Sequence, residues 1–89
     1  MSTFVAEVRV MLKPSVNDPQ GLSIRSALRT LGFESIREVR AGKVFLLRVE
    51  AEDAPTAREQ ARAMADKLLA NPVIETFEVS LSEAAAPAT

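Results

Sequence analysis

Between Thr3 and Lys13 the residues Phe4, Ala6, Val8, Val10 and Leu12 alternate with Val5, Glu7, Arg9 and Met11. Side chains that alternate in this way point to opposite faces of an extended chain, so the pattern predicts a half-buried first strand. Asp18 followed by Pro19 supplies a helix cap and a first-turn proline whose missing N–H is not needed there. Ile24, Ala27, Leu28 and Leu31 then recur at the spacing of one helical stripe, while Arg25, Ser26 and Arg29 turn outward. Gly32 closes this helix at a position that favours a left-handed residue. Gly21 lies inside the first turn, where glycine costs up to about 1 kcal/mol relative to alanine. A glycine there signals that something approaches the backbone closely.

Two further runs, Ser35 to Ala41 and Lys43 to Ala51, flank Gly42 and predict a hairpin of second and third strands. The later run, with Val44, Phe45, Leu46, Leu47 and Val49, is too apolar for burial on one side only. Asp53-Ala54-Pro55 repeats the cap-and-proline device, and Ala57, Ala61, Met64, Ala65 and Leu68 place a second helix from Pro55 to Ala70. Asn71-Pro72 stops it. Val73, Phe77, Val79 and Leu81 then alternate in a last strand. No pattern follows Ser82, so 1–82 is expected to form a single α/β domain and 83–89 a flexible C-terminal tail.

The order β-α-β-β-α-β predicts an α+β fold, an antiparallel four-stranded sheet with two helices on one face. Phe45, Leu47 and Val49 would point to one side of the sheet. Val44 and Leu46, joined by Val5 and Met11, would form a second apolar surface on the other face. Contiguous apolar patches of this kind mark association, so the chain is expected to oligomerise through its sheet.

Composition narrows the functions open to such a domain. The 89 residues are 47% hydrophobic and 26% charged, a globular balance. A domain this small removes only roughly 60–65% of its unfolded surface from water, so a partner subunit would help it. Eleven basic and 12 acidic residues are scattered along the chain for a net charge of −1, which leaves no basic stripe for a phosphate backbone. The four aromatics are all Phe and are dispersed rather than grouped for base stacking. Nucleic acid is therefore not an expected partner. No Cys is present, so no disulfide or thiolate metal site exists, and no His supplies a general base, metal ligand or partner for a nucleophile. No long apolar run predicts a membrane segment, and Met1-Ser2-Thr3-Phe4 lacks the regions of a signal peptide, so a cytoplasmic location is expected.

Three places invite a chemical reading. Glu50, Glu52 and Asp53 could form an acid/base pair or a hard-cation site, but acids between a strand and a helix start are also ordinary loop and N-terminal residues. Arg37, Arg40 and Lys43 gather around Gly42 as a candidate phosphate or carboxylate site. Strand alternation would instead put Arg37 and Arg40 on opposite faces. The stretch from Lys13 to Gly21 holds two prolines ahead of Asp18, Gln20 and Gly21, and reads either as a rigid capped loop or as a docking surface.

Asp18-Pro19-Gln20-Gly21, Val39-Arg40-Ala41-Gly42-Lys43 and Lys67-Leu68-Leu69-Ala70-Asn71-Pro72-Val73-Ile74-Glu75 together resemble a known family. In their order and spacing, over residues 3–81, they resemble PurS, the small subunit of phosphoribosylformylglycinamidine synthase. The resemblance implies membership of a three-component ligase of de novo purine synthesis. In it a glutaminase subunit releases ammonia, and a synthetase subunit using ATP and Mg aminates formylglycinamide ribonucleotide. It implies that this chain is a non-catalytic homodimer or tetramer that binds no cofactor or metal, bridges the glutaminase and synthetase subunits and helps ammonia pass. By the same resemblance Asp18, Gln20, Gly21, Arg40, Gly42, Lys43 and Asn71 become candidate subunit-interface residues, with roles as caps and turns open for Asp18, Gly42 and Asn71. Phe77 stands where the family often has Tyr, and the Ala-rich tail has no family counterpart.

Two rival readings share the architecture. A small-molecule-binding regulatory domain would bind an amino acid at a dimer interface, but it usually needs a Gly-rich turn after its first strand, where this chain has Pro14, Val16 and Pro19. A cofactor-free enzyme would have only carboxylates and Lys for proton transfer.

Overall fold

The computed structural model describes residues 1–83. The alternating N-terminal segment forms the central strand β1 (Ser2–Leu12), flanked by β2 (Gly42–Ala51) and β3 (Glu75–Glu83) in the order β2-β1-β3. Both pairings are antiparallel and place Val8 between Phe45 and Val79, and Ala6 between Leu47 and Leu81. The even residues Phe4, Ala6, Val8 and Val10 thus line one face with the apolar side chains of both neighbours. Helix α2 (Ala54–Met64) covers this face. Its Ala57 and Ala61, with Ala65 after it, are fully buried, and three methyl groups in line let the helix settle close to the strands. Val8 and Val10 lie wholly beneath it, each contributing about 1.5–3 kcal/mol of apolar burial.

The second helix does not continue regularly to Ala70. Residues Ala65–Leu69 form a π-helical turn, closed by the Ala70 N–H donating to the Ala65 carbonyl at 2.8 Å. The wider turn advances each residue by a smaller angle, which swings Leu69 and Ala70 inward and leaves Leu68 83% exposed where regular spacing would bury it. The last strand starts at Glu75 because residues 72–74 form a turn after Asn71, and it runs to Glu83, two residues beyond Leu81. The expectation of a tail falls on 84–89, which lie outside the described residues.

The α+β class stands, but the fourth strand does not form among the described residues. Segment 35–41 leaves the turn at Ser35 without joining a ladder, since both edges of β1 are taken and the segment leads to the root of helix α1 (Pro19–Thr30). There the Asp18 carboxylate accepts the Ala41 N–H that a ladder would have used. Gly42 accordingly opens β2 rather than turning a hairpin. Helix α1 makes at most marginal contact with the strands and α2, so among the described residues only α2 lies on the sheet. The molecule spans 51 × 32 × 16 Å with a radius of gyration of 16.7 Å, against about 12 Å for a compact chain of this length. Among the described residues no helix is long and apolar enough to cross a membrane.

Candidate functional site

The motif residues that precede and follow α1 meet at its root. Asp18 is 4% exposed and bridges two segments: one carboxylate oxygen accepts the Gly21 N–H at 2.9 Å, the other the Ala41 N–H at 2.8 Å. The first bond is a helix cap. The second ties the helix start to the chain entering β2. The Ala41 N–H and then the Gly21 N–H hold the Asp18 carboxyl below its ordinary value, helped by the Arg40 guanidinium and opposed by burial. Arg40 completes the fastening, its Nη2 donating to the carbonyls of Lys13 at 2.9 Å and Val16 at 3.0 Å.

Gly21 shows the close approach expected of it. A Cβ built there would run into the Val39 carbonyl oxygen, with Asp18 Oδ2 only 3.0 Å away. Gly42 is equally confined, since its Cβ would come 2.6 Å from the Val10 carbonyl. At the other end of the helix Gly32 has φ +102°, the left-handed value that a helix terminator uses.

Other candidate residues lie apart from this root. Asn71 organises the turn before β3: its side-chain oxygen accepts the Val73 N–H at 3.0 Å, and its own N–H donates to Glu75 Oε1 at 2.7 Å. Lys43 pairs with the other oxygen of that Glu75 at 3.7 Å and lies over the Phe45 ring at 5.9 Å, so it joins the Asn71 motif rather than the Asp18 one. Gln20 is exposed, and its side chain makes no hydrogen bond among the described residues. Asp18, Gly21, Arg40, Gly42 and Asn71 therefore shape backbone, while Gln20 and Lys43 keep outward-facing groups.

The acidic trio resolves differently. Asp53 caps α2 by accepting the Thr56 N–H at 2.9 Å, and the Thr56 hydroxyl and then its N–H hold the Asp53 carboxyl below its ordinary value. Among the described residues no three His, Cys, Asp or Glu side chains are grouped to hold a metal. Arg37 and Arg40, which alternation would separate, line one cleft beside α1 because segment 35–41 is not a strand. Sequence reasoning missed the second bond of Asp18 and the carbonyl clasp of Arg40. Both link residues more than twenty positions apart and have no local signature.

Fold and site thus define a small α+β domain with one helix anchored at its root and otherwise unpacked, and with one sheet face uncovered. Residues 5–83 match the family model "PurS: Phosphoribosylformylglycinamidine (FGAM) synthase". The PurS subunit of phosphoribosylformylglycinamidine synthase from Synechocystis is 42% identical over 85 residues, covering 93% of this chain and 85% of that protein. Methanocaldococcus jannaschii PurS, one of the subunits of formylglycinamide ribonucleotide amidotransferase, superposes with a TM-score of 0.82 at 34% identity, covering 91% of this chain and 98% of its own. A chain of the Thermotoga maritima PurLQS structure gives 0.83 at 33% identity, covering 94% and 100%. The chain belongs to the PurS family of phosphoribosylformylglycinamidine synthase subunits. These relatives do not favour the reading as an amino-acid-binding regulator.

Proposed function

We propose that this chain is the non-catalytic small subunit around which a phosphoribosylformylglycinamidine synthase assembles, in the cytoplasm. It bridges a glutaminase subunit and a synthetase subunit that uses ATP and Mg, and it assists the passage of ammonia between them. The observation that carries this reading is helix α1, whose Ile24 and Leu31 are 38% and 73% exposed while its root is rigidly fastened. An apolar stripe held out from the body of a small domain is a contact waiting for another chain.

A second copy of the chain is the first such partner, in a homodimer or a tetramer. The open sheet face supports the same reading, because Val44 and Leu46 are 58% and 70% exposed on it. Gln20, beside the fastened root, and Lys43 are the side chains proposed to touch the larger subunits, with Asp18, Gly21, Arg40, Gly42 and Asn71 fixing the backbone that presents them.

The test is reconstitution. Glutamine-dependent amination of formylglycinamide ribonucleotide is expected only when this chain is added to the purified glutaminase and synthetase subunits, and equal activity without it refutes the reading. Sedimentation that finds only monomer at tens of micromolar removes the self-association. Complex formation and amination unchanged by Gln20→Ala together with Arg40→Ala removes the docking role of the root.

A further inference from the structure

Beside the root of α1 lies a cleft of about 350 Å³ in which Arg25, Arg37 and Arg40 converge, with Asn17, Leu22 and Glu38 completing its wall. We propose that this cleft is a binding site for a small oxyanion, a phosphate or a carboxylate group. The proposal does not rest on the assembly role above, although Asp18 and Arg40 belong to both.

Three observations carry the proposal. The arginines come from two separate parts of the chain, Arg25 from helix α1 and Arg37 and Arg40 from segment 35–41, yet line one space. Arg25 and Arg37 form no ion pair among the described residues. Arg40 uses only Nη2 on the carbonyls of Lys13 and Val16, so its position is fixed while its other N–H groups keep their donor capacity. A guanidinium fork matches the paired oxygens of a carboxylate or phosphate, and one already immobilised loses little freedom on binding.

The opposing charges are also accounted for. Asp18 lines the cleft, but it is buried and both its oxygens already accept backbone N–H groups. Glu38 is the other carboxylate at the wall, so three guanidinium groups face two carboxylates, one of them internally satisfied. Furthermore, the backbone N–H groups of Arg37, Glu38, Val39 and Arg40 donate no hydrogen bond among the described residues. Their residues line the cleft and leave these donors free for a ligand or solvent. Leu22 and Val39 give the cleft an apolar side against which the carbon skeleton of a ligand can rest.

The experiment uses the full chain and follows backbone amide resonances while inorganic phosphate or acetate is added, with sodium chloride at equal ionic strength as reference. Saturable shifts centred on residues 17–25 and 37–40 are expected. Binding at least tenfold weaker is expected for the combined Arg25→Gln and Arg37→Gln variant, whose altered side chains lie outside the core. Arg48→Gln, on the open sheet face, should leave binding unchanged. Saturation by phosphate alone identifies a phosphate site, and saturation by both anions extends it to carboxylates. No saturable shift with either anion, or equal affinity in the double arginine variant, overturns the proposal.

Discussion

Replacing Gly21 with alanine sets helix propensity against space, and the two give opposite signs. Gly21 is the third residue of α1, and alanine in a helix is favoured over glycine by about 0.5–1 kcal/mol. On propensity alone the variant would be more stable. The structure opposes this, because the added methyl lands on the Val39 carbonyl oxygen and 3.0 Å from Asp18 Oδ2. The obstacle is backbone, which cannot rotate away as the end of a long side chain can. The helix start and segment 39–41 must separate, and the bond from the Ala41 N–H to Asp18, at 2.8 Å, crosses the gap that opens.

Overpacking of this kind costs about 1–3 kcal/mol. After the propensity gain is subtracted, and because the Asp18–Ala41 bond weakens as the segments part, the net expectation is a loss of about 1–2 kcal/mol. For a domain of this size each kcal/mol moves the midpoint by about 4–8 °C, so Tm should fall by roughly 5–15 °C. The assay is thermal unfolding of wild type and Gly21→Ala at one fixed protein concentration, since any self-association makes Tm concentration-dependent. An equal or higher Tm refutes the claim that the root of α1 is close-packed.

The glycine just past the end of α1 tests a different cause: Gly32 has φ +102° and open space around it, so Gly32→Ala should destabilise by about 1 kcal/mol through backbone strain, and Gly32→Asn by less. Arg40→Ala should cost about 1–3 kcal/mol by releasing the carbonyls of Lys13 and Val16, with Arg40→Lys recovering only part of it in denaturant titration. Asp18 has a folded-state value below the unfolded one of about 3.9, so its contribution is fully present above that pH and is lost as the pH falls through the lower folded value. Tm measured from pH 5 down to pH 2 should therefore fall less steeply in Asp18→Asn than in wild type. Leu31→Asp places a charge on a residue 73% exposed; sedimentation should show a shift toward monomer while circular dichroism keeps the folded signal.

How far the fold could be read from the sequence depended on whether a signal was local. The strand through Phe4, Ala6, Val8 and Val10 was legible because its alternation is set by the pleat alone. The caps at Asp18 and Asp53 were legible because each bonds an N–H three residues ahead. Segment 35–41 misled for a physical reason: Ile36 and Val39 give it a strand-like composition, but a strand also needs a free neighbouring edge in the right place, and that belongs to the tertiary structure. The π turn at Ala65–Leu69 misled similarly, since nothing in Ala-Asp-Lys-Leu-Leu announces an extra residue in the turn. For the candidate site, Gly21 was readable as a close approach, but what approached it was not, because Val39 lies eighteen positions away. Gathering Arg25 and Arg37 into one cleft was hidden behind the same mistaken strand.

The missing strand also explains why α1 stands away. Three strands about 4.8 Å apart make a surface little wider than one helix of about 10 Å diameter. Helix α2 contacts all three strands and leaves Val8 and Val10 fully buried, so it occupies the middle of that face, and only the half-buried Phe45, Leu47, Phe77, Val79 and Leu81 of the outer strands remain beside it. The Asp18 and Arg40 bonds then fix where α1 starts, and nothing beyond its root draws it back onto the sheet. The open face is no better place for its stripe within the same chain, because Glu7, Arg9, Arg48 and Glu78 stand among the apolar residues there. Another chain can meet the stripe without disturbing those charges. Under the proposed function the unpacked helix is thus a consequence of sheet width, and Leu31→Asp probes it with little effect on the core. If the altered chain still self-associates but no longer joins the larger subunits, α1 belongs to the bridge; if self-association is lost first, it belongs to the dimer.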